Sequence, residues 1–396
     1  MSASPRFMPR FMQNGARPKL VALTSLRFFA AMHVVIFHLR ESVRGPQWYQ
    51  KLASVGHLGV SFFFVLSGFI LVYTYADSQV SRYEFWQARF ARIYPAYAVA
   101  LVACFPHFWA TEHFSLSWNL AFTCALTVAL LQAWSPQTAL TWNPVAWSLS
   151  AEAFFYFVFP ALLAWLKKGQ WRVLVVISGS WLFSLATAVS CFSIRPAGMN
   201  GAMGADAGVL GLAAIRYNPL VRLPEFVIGM GVGLLYLRGA KSPRLGKAFA
   251  LGGIAAFALV VATCDQFPPP LLQTGVLAPI FAAVIFGVAT QAGQSKVAEP
   301  AWIRCLNWRG LVLLGNASYS LYLLHDLIIW SALAEFGITL FHNLAGIILL
   351  LAACIGASIA CTKLVEEPLR ERLRPKLPRP TTLSWTVSSQ AANAGN

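Results

Sequence analysis

Long apolar runs, separated by short polar segments, fill most of the chain between residues 20 and 362. The first run, 20–39, reads LVALTSLRFFAAMHVVIFHL, and about 20 apolar residues are enough for a helix to cross the hydrocarbon core of a bilayer. The pattern predicts an all-α polytopic membrane helix bundle with about ten transmembrane helices. The nine runs that follow the first are 57–76, 93–110, 143–166, 173–191, 222–238, 248–264, 271–291, 311–330 and 343–362.

The apolar segment 118–134 is ambiguous, because its length would also allow a crossing. If it crossed, the basic clusters 167–172, 238–247 and 363–379 would all lie outside. If it does not cross, all three lie inside, where the basic residues of membrane proteins gather. We therefore predict a re-entrant or interfacial segment on the outer side, buried by other helices, with both termini cytoplasmic.

The flanking segments differ from the apolar part of the chain. Residues 1–19 are polar and basic and are predicted to form a cytoplasmic N-terminus, with the first apolar run acting as a signal anchor. The membrane domain is predicted at 20–370, and the Pro/Ser/Thr-rich segment 371–396 is predicted to be a disordered cytoplasmic tail. The glycine-rich outer loop 192–221 is either a mobile lid or a linker.

Composition supports this class and excludes others. Charged residues make up 11% of the 396 residues, whereas a soluble domain carries about 25%. The net charge of +16 fits cytoplasmic loops and anionic lipid better than nucleic acid, since the arginines form no long soluble patch. Most of the seven cysteines lie in apolar runs without CxxC or His/Cys spacing, which predicts small core residues, no disulfides and no metal site.

Among the polar residues of the first apolar run, Arg27 and His38 are predicted to face one side of its helix. Arg27 and His38 are eleven residues apart, which corresponds to three turns plus about 20° and a separation of about 16 Å along the axis. Such groups are costly in lipid and therefore face a protein interior or a wet cavity. We interpret this helix face as the centre of a transmembrane active site.

Several motifs, in order along residues 20–370, resemble the acyltransferase-3 family of integral membrane acyltransferases. The resemblance implies a ten-helix bacterial inner-membrane protein, here a stand-alone form without the SGNH-type domain of some members. Such proteins move an acyl group, commonly acetyl, from cytoplasmic acyl-CoA to a hydroxyl of a glycan or similar acceptor. The motifs are Arg27-x10-His38, Ser67-Gly68-Phe69, Arg89-Phe-Ala-Arg92-Ile-Tyr-Pro, Trp147-Ser-Leu-Ser-Ala-Glu152, Ser318-Tyr-Ser-Leu-Tyr322-Leu-Leu-His325 and Glu366-Glu367-Pro368.

The resemblance suggests a chemical role for each matched residue. His38 would be the general base for the acceptor hydroxyl, since imidazole titrates near pH 6.5, and Glu152 would orient or charge it. Arg27 would hold a coenzyme A phosphate or stabilise the oxyanion, and Arg89 and Arg92 would bind the phosphates. Each role has a structural alternative: a hydrogen-bonded core histidine, an Arg27–Glu152 ion pair, or arginines that only contact lipid headgroups.

Tyr322 and His325 are weaker candidates for acceptor contacts. His325 could also be a second acid or base, or a hydrogen-bonded packing residue, and Glu225 and Glu367 stand at predicted helix ends. The expected partners are acyl-CoA, a glycan or lipid-linked sugar and membrane lipids, with neither nucleic acid nor metal. A secondary transporter or flippase with a His/Arg/Glu proton relay is the alternative function. Acceptor identity, acyl length and oligomeric state stay open.

Overall fold

The structure, a computed structural model, describes residues 17–111, 118–193, 215–239, 242–293 and 299–375. Within these ranges the chain is helical and contains no β-strand. Ten of its helical segments are long and apolar enough to cross a membrane, which confirms the predicted polytopic all-α bundle. The predicted N-terminal segment, the outer loop 192–221 and the C-terminal tail fall mostly outside the described ranges.

Fifteen α-helices are described, and we number them in chain order. The final helix is joined to the one before it by a π-helix at Thr362–Glu366. The helices are α1 Val21–Leu39, α2 Gln47–Ser54, α3 Leu58–Tyr75, α4 Arg82–Thr111, α5 Trp118–Val128, α6 Trp147–Leu166, α7 Gln170–Ser193, α8 Pro219–Leu237, α9 Pro243–Thr263, α10 Pro269–Gln273, α11 Ala278–Ala292, α12 Ala301–Leu306, α13 Arg309–Phe336, α14 Leu344–Cys361 and α15 Glu367–Leu373.

Burial separates central helices from peripheral ones. In α3, 72% of the most apolar stretch is buried inside the protein, and the corresponding value is 67% in α8 and 61% in α13. In α7, α9 and α14 it is only 17%, 22% and 28%. Since apolar residues exposed on a spanning helix are solvated by lipid, these three helices form the lipid-facing periphery and α3 stands at the centre.

Glycine allows α1 and α13 to approach closely. Gly315 on α13 faces the backbone of Thr24 on α1 so tightly that an added Cβ would overlap it. Small residues at helix contacts permit this kind of backbone approach in membranes. The two helices then run side by side, which brings the C-terminal end of α1 against the middle of α13.

The ambiguous segment 118–134 does not form a crossing helix. Its helix, α5, has 11 residues, so it is about 16 Å long and covers roughly half of the hydrocarbon thickness. The chain then turns at Leu130, where φ is +58°, into a 3₁₀ turn at Gln132–Trp134. The buried Gln132 amide donates to the Ala146 carbonyl at 3.1 Å, so other parts of the bundle satisfy this turn as predicted.

Helix α4 begins eleven residues earlier than the apolar pattern indicates, at Arg82 instead of residue 93. A capping box sets this start: Ser81 N–H donates to Glu84 Oε2 at 2.8 Å, and Glu84 N–H donates to Ser81 Oγ at 3.2 Å. The first three turns carry charged residues, among them Arg89 and Arg92, which line an internal cavity, so hydropathy alone could not find this part of the helix.

Candidate active site

A cavity of about 280 Å³ lies inside the bundle, between α1, α3, α4, α6, α13 and α15. The cavity is rich in arginine, and the carboxylates of Glu152 and Glu366 stand beside these groups. Four guanidinium groups against two carboxylates leave a formal surplus of two positive charges. The arginines that line it are Arg27, Arg89, Arg92 and Arg370.

Arg27 faces this cavity, as predicted, and is half-buried. Its charged surroundings come from three other helical segments, since Arg92, Glu152 and Glu366 all act on it electrostatically. Helical side chains lean toward the N-terminus, so the guanidinium is directed away from His38. The Arg27 guanidinium and the His38 imidazole therefore lie at opposite ends of the candidate site.

Arg92 is held by a carboxylate that the sequence did not single out. Its guanidinium forms an ion pair with Glu366, whose side chain is fully buried at the end of the π-helix. Ser320 Oγ donates to the second carboxylate oxygen at 3.3 Å, and Arg370 Nη1 lies 3.7 Å from the first. Glu366 thus fixes two cavity arginines at once, and π-helical turns often occur at functional sites.

Arg89 has a different environment, made mostly of aromatic rings. Its Nη2 donates to the Tyr75 hydroxyl at 3.1 Å, and its guanidinium carbon lies 5.5 Å from the Tyr75 ring centroid and 5.8 Å from that of Tyr156. Its Nε is buried without a hydrogen-bond partner. Arg89 therefore has no carboxylate partner among the described residues, and its Nε donor is unused.

The predicted contact between Glu152 and His38 is wrong. Glu152 lines the cavity, where its Oε1 accepts hydrogen bonds from Ser67 Oγ at 3.1 Å and from the Tyr156 hydroxyl. The helix face that carries Glu152 also carries Tyr156, four residues later, and both turn toward the arginines. The carboxylate therefore belongs to the arginine-lined end of the site.

His38 contacts a second histidine at the C-terminal end of α1. Its Nδ1 lies 3.1 Å from Nε2 of His325 on α13 and 3.0 Å from the Val34 carbonyl oxygen. The two imidazole centroids are 4.9 Å apart. Asp326 is the carboxylate that acts on His38 electrostatically, so it takes the place that we had expected for Glu152.

His325 does not fit the predicted acceptor contact. Its side chain is fully buried, and its Nδ1 lies 3.1 Å from the carbonyl oxygen of Leu321 one turn earlier. A group with no exposed surface cannot meet a substrate directly. His325 instead contacts the ring of His38. In the sequence, the only sign of this role is that His325 follows Tyr322 by about one helical turn.

Tyr322 links the two ends of the site. It lines the cavity, and its hydroxyl lies 2.8 Å from both Ser148 Oγ and the Val145 carbonyl oxygen. Its ring centroid is 6.1 Å from that of His325. The Tyr322 side chain thus lies between the arginine-lined cavity and the histidine pair.

The two weaker carboxylate candidates lie elsewhere. Glu225 is fully buried and forms an ion pair with Arg222 at 3.0 Å, although it stands near a helix start. Glu367 pairs with Lys363 at 2.8 Å on the partly exposed surface of the last helical turns. Both therefore act as structural ion pairs in this fold.

Ten of the described helical segments are long and apolar enough to cross a membrane, and six of the described helices line a polar, arginine-rich cavity, so the fold defines a polytopic membrane protein with charged side chains inside its bundle. The family described as "Acyltransferase domain" matches residues 20–363, so the chain belongs to this family of membrane acyltransferases, as the order of its motifs predicted. No solved structure matches the chain.

Curated proteins with similar sequences cover most of the chain. Acyltransferase MdmB of Streptomyces mycarofaciens is 28% identical over 331 residues, which are 78% of this chain and 79% of that protein. The exopolysaccharide production protein ExoZ of Rhizobium meliloti (strain 1021) is 32% identical over 342 residues, 81% of this chain and 92% of that protein. O-acetyltransferase OatA of Staphylococcus aureus (strain NCTC 8325 / PS 47) is 24% identical over 353 residues, which are 81% of this chain but 50% of OatA.

Proposed function

We propose that this protein is a membrane O-acyltransferase that moves an acyl group, acetyl in the simplest case, from acyl-CoA to a hydroxyl of a glycan or glycosylated acceptor. The observation that carries the proposal is a cationic cavity at one end of α1 and a histidine pair at the other. The names of ExoZ and OatA, which refer to exopolysaccharide production and O-acetyl transfer, support a glycan acceptor and an acetyl group.

The cavity suits the charged part of acyl-CoA. The surplus of positive charge favours the phosphates of the donor, and guanidinium groups bind phosphate through paired, charge-assisted hydrogen bonds. Glu366 keeps Arg92 oriented before binding, and Arg89 lines the same cavity without a carboxylate partner among the described residues. Arg27, directed away from His38, fits phosphate or pantetheine binding better than stabilisation of an oxyanion formed beside His38.

The separation between the arginine-lined cavity and the histidine pair matches the shape of acyl-CoA. Arg27 and His38 stand about 16 Å apart along the helix, and the extended pantetheine arm of coenzyme A carries its thioester far from its phosphates. The phosphates would stay at the cavity, on the cytoplasmic side, while the thioester reaches the histidine. We place the protein in a bacterial inner membrane with both termini on the cytoplasmic side, because the basic residues of membrane proteins gather on that side.

His38 is the proposed general base. It takes the proton of the acceptor hydroxyl as the oxygen attacks the thioester carbonyl, the C–O bond forms and the C–S bond breaks. The thiolate leaves and receives the same proton from the imidazolium, so the products are the ester and free coenzyme A. Neutral imidazole is suited to this exchange near pH 7.

The test is release of free thiol by purified protein in lipid nanodiscs supplied with acetyl-CoA and an acceptor glycan. We expect acceptor-dependent thiol release, with one acetyl ester formed for each thiol, and loss of both in His38→Ala. His33→Ala is the matched control, because His33 lies on the same helix but bonds to the Leu52 carbonyl at 2.9 Å. Acceptor movement without any thiol release would instead support a transporter or flippase.

A further inference from the structure

We propose that His325 is a positioning residue that, together with the Val34 carbonyl oxygen, holds the ring of His38 in place, so that Nδ1 of His38 carries the proton and Nε2 presents the lone pair. This inference rests on the proposed function, in which His38 is the base. It assigns to the buried histidine a role that neither acceptor binding nor helix packing would give it.

The tautomer follows from two carbonyl oxygens. Nδ1 of His38 lies 3.0 Å from the Val34 carbonyl oxygen, and Nδ1 of His325 lies 3.1 Å from that of Leu321. A carbonyl oxygen only accepts hydrogen bonds, so both Nδ1 atoms have to carry a proton. In neutral imidazole the other nitrogen is then an acceptor.

The contact between the two rings fits this assignment. Nδ1 of His38 is 3.1 Å from Nε2 of His325, so a protonated Nδ1 faces a lone pair. The His38 proton is shared between the Val34 carbonyl and His325. Nε2 of His38 is left without a hydrogen bond to any residue that the structure describes, which leaves it available to an incoming hydroxyl.

Burial keeps this arrangement in place. His325 is fully buried between α1 and α13, and its ring is held by Leu321 one turn back on its own helix. It cannot reach a substrate, so it acts only through His38. When Nε2 of His38 takes the acceptor proton, the Nδ1–H of the resulting imidazolium becomes a stronger donor toward His325, which stabilises the charged ring.

Proton balance is simple in this scheme. The acceptor proton moves to Nε2 of His38 as the C–O bond forms, and it leaves from the same atom to the departing thiolate as the C–S bond breaks. The protons on Nδ1 of His38 and of His325 stay where they are. Loss of the acceptor atom at His325 would leave Nδ1–H of His38 with the Val34 carbonyl alone and let the ring shift out of position, and a wrongly held catalytic histidine can lower kcat by up to about 10⁴.

Two variants separate positioning from packing. His325→Gln keeps a hydrogen-bond acceptor near the Nε2 position, whereas His325→Leu keeps the volume and removes the acceptor. For His325→Leu we expect kcat for acetyl transfer to fall by about 100-fold, well inside the range known for misoriented histidines, while KM for acetyl-CoA changes less than about twofold. His325→Gln should recover at least about tenfold of that loss. A His325→Leu enzyme with normal kcat, or no recovery by Gln in a folded protein, would overturn the proposal.

A measurement that does not depend on activity completes the test. Ring ¹⁵N chemical shifts distinguish protonated from unprotonated histidine nitrogens, and the signals of His38 can be assigned by their loss in His38→Gln. At pH 8 the wild-type protein should show a protonated Nδ1 and an unprotonated Nε2 at His38, even if no acyl transfer is found. An unprotonated Nδ1 at His38 would refute the inference. This result does not depend on whether acyl transfer is found or on whether His325→Leu folds, because it is measured on the wild-type protein.

Discussion

Arg92 and Glu366 form a buried ion pair between α4 and the π-helix, although 274 positions separate them in the sequence. The carboxylate is fully buried, and 19% of the arginine side chain is exposed toward the cavity. The pair therefore presents a fixed guanidinium to whatever enters. It also connects the last helical segments of the described chain to the wall of the candidate active site.

Glu366→Gln should destabilise the protein, because it leaves the Arg92 charge without its main partner. Breaking a fully buried pair costs about 3–5 kcal/mol, and the partial exposure of Arg92 lowers our expectation to about 2–3 kcal/mol. KM for acyl-CoA should rise severalfold as Arg92 loses its orientation. Reversible unfolding in mixed micelles and steady-state kinetics measure the two effects.

The neighbouring glutamate supplies the control. Glu367 pairs with Lys363, whose side chain is 49% exposed, so Glu367→Gln should stay within about 0.5 kcal/mol of the wild type. Equal effects from the two substitutions would mean that the buried pair has no special part in holding the cavity together.

Arg89→Ala should weaken donor binding with little effect on the chemical step. A charge-assisted hydrogen bond to phosphate is worth about 1.5–3 kcal/mol, so we expect KM for acetyl-CoA to rise about tenfold or more while kcat stays within about twofold. The effect should persist at high salt, because contacts inside a partly buried cavity are screened much less than exposed ones. Kinetics at two ionic strengths provide the measurement.

Arg82→Ala is the matched control for charge. Arg82 begins the same helix but is exposed and does not line the cavity, so its removal should leave KM within about twofold of the wild type. If both arginines change KM equally, the cause is general surface charge and not a donor site.

Gly315→Ala should separate α1 from α13 and disturb the His38–His325 contact. The new Cβ would overlap the Thr24 backbone, and overpacking of this kind costs about 1–3 kcal/mol. We expect lower stability and a lower kcat together. Gly356→Ala on the lipid-facing α14 meets open space and should be neutral or slightly stabilising, since alanine favours helix. Normal activity in Gly315→Ala would show that the helix spacing does not control the histidine pair.

The helices could be predicted from the sequence because hydropathy and loop charge are local properties. The interruption of the first apolar run located Arg27, and the family resemblance located Arg89 and Arg92; all three line the cavity. The partners of these residues could not be predicted in this way. A single sequence gives no sign that Arg92 contacts a carboxylate 274 positions away.

Register explains why Glu366 was missed while Glu367 was considered. The two glutamates are adjacent, so the choice depends on how the helix is wound just before them. The π-helix at Thr362–Glu366 changes that winding and turns Glu366 inward, whereas an uninterrupted α-helical period gives no reason to prefer it. The expectation that Glu152 assists His38 failed for a related reason: helix periodicity tells which residues share a face, but not which helix that face meets.

Glu152→Gln distinguishes the observed position of this carboxylate from the one we expected. A partner of the catalytic base would lower kcat by orders of magnitude when neutralised. In the structure Glu152 instead accepts hydrogen bonds from Ser67 and Tyr156 among the arginines, and glutamine can still accept both.

Loss of the Glu152 carboxylate raises the positive surplus of the cavity by one charge. We therefore expect kcat within about threefold of the wild type and KM for acyl-CoA unchanged or up to about threefold lower, which corresponds to about 0.7 kcal/mol. His38→Ala, measured beside it, should abolish transfer. A loss of kcat in Glu152→Gln as deep as that in His38→Ala would restore Glu152 as the partner of the base and contradict its assignment to the donor end.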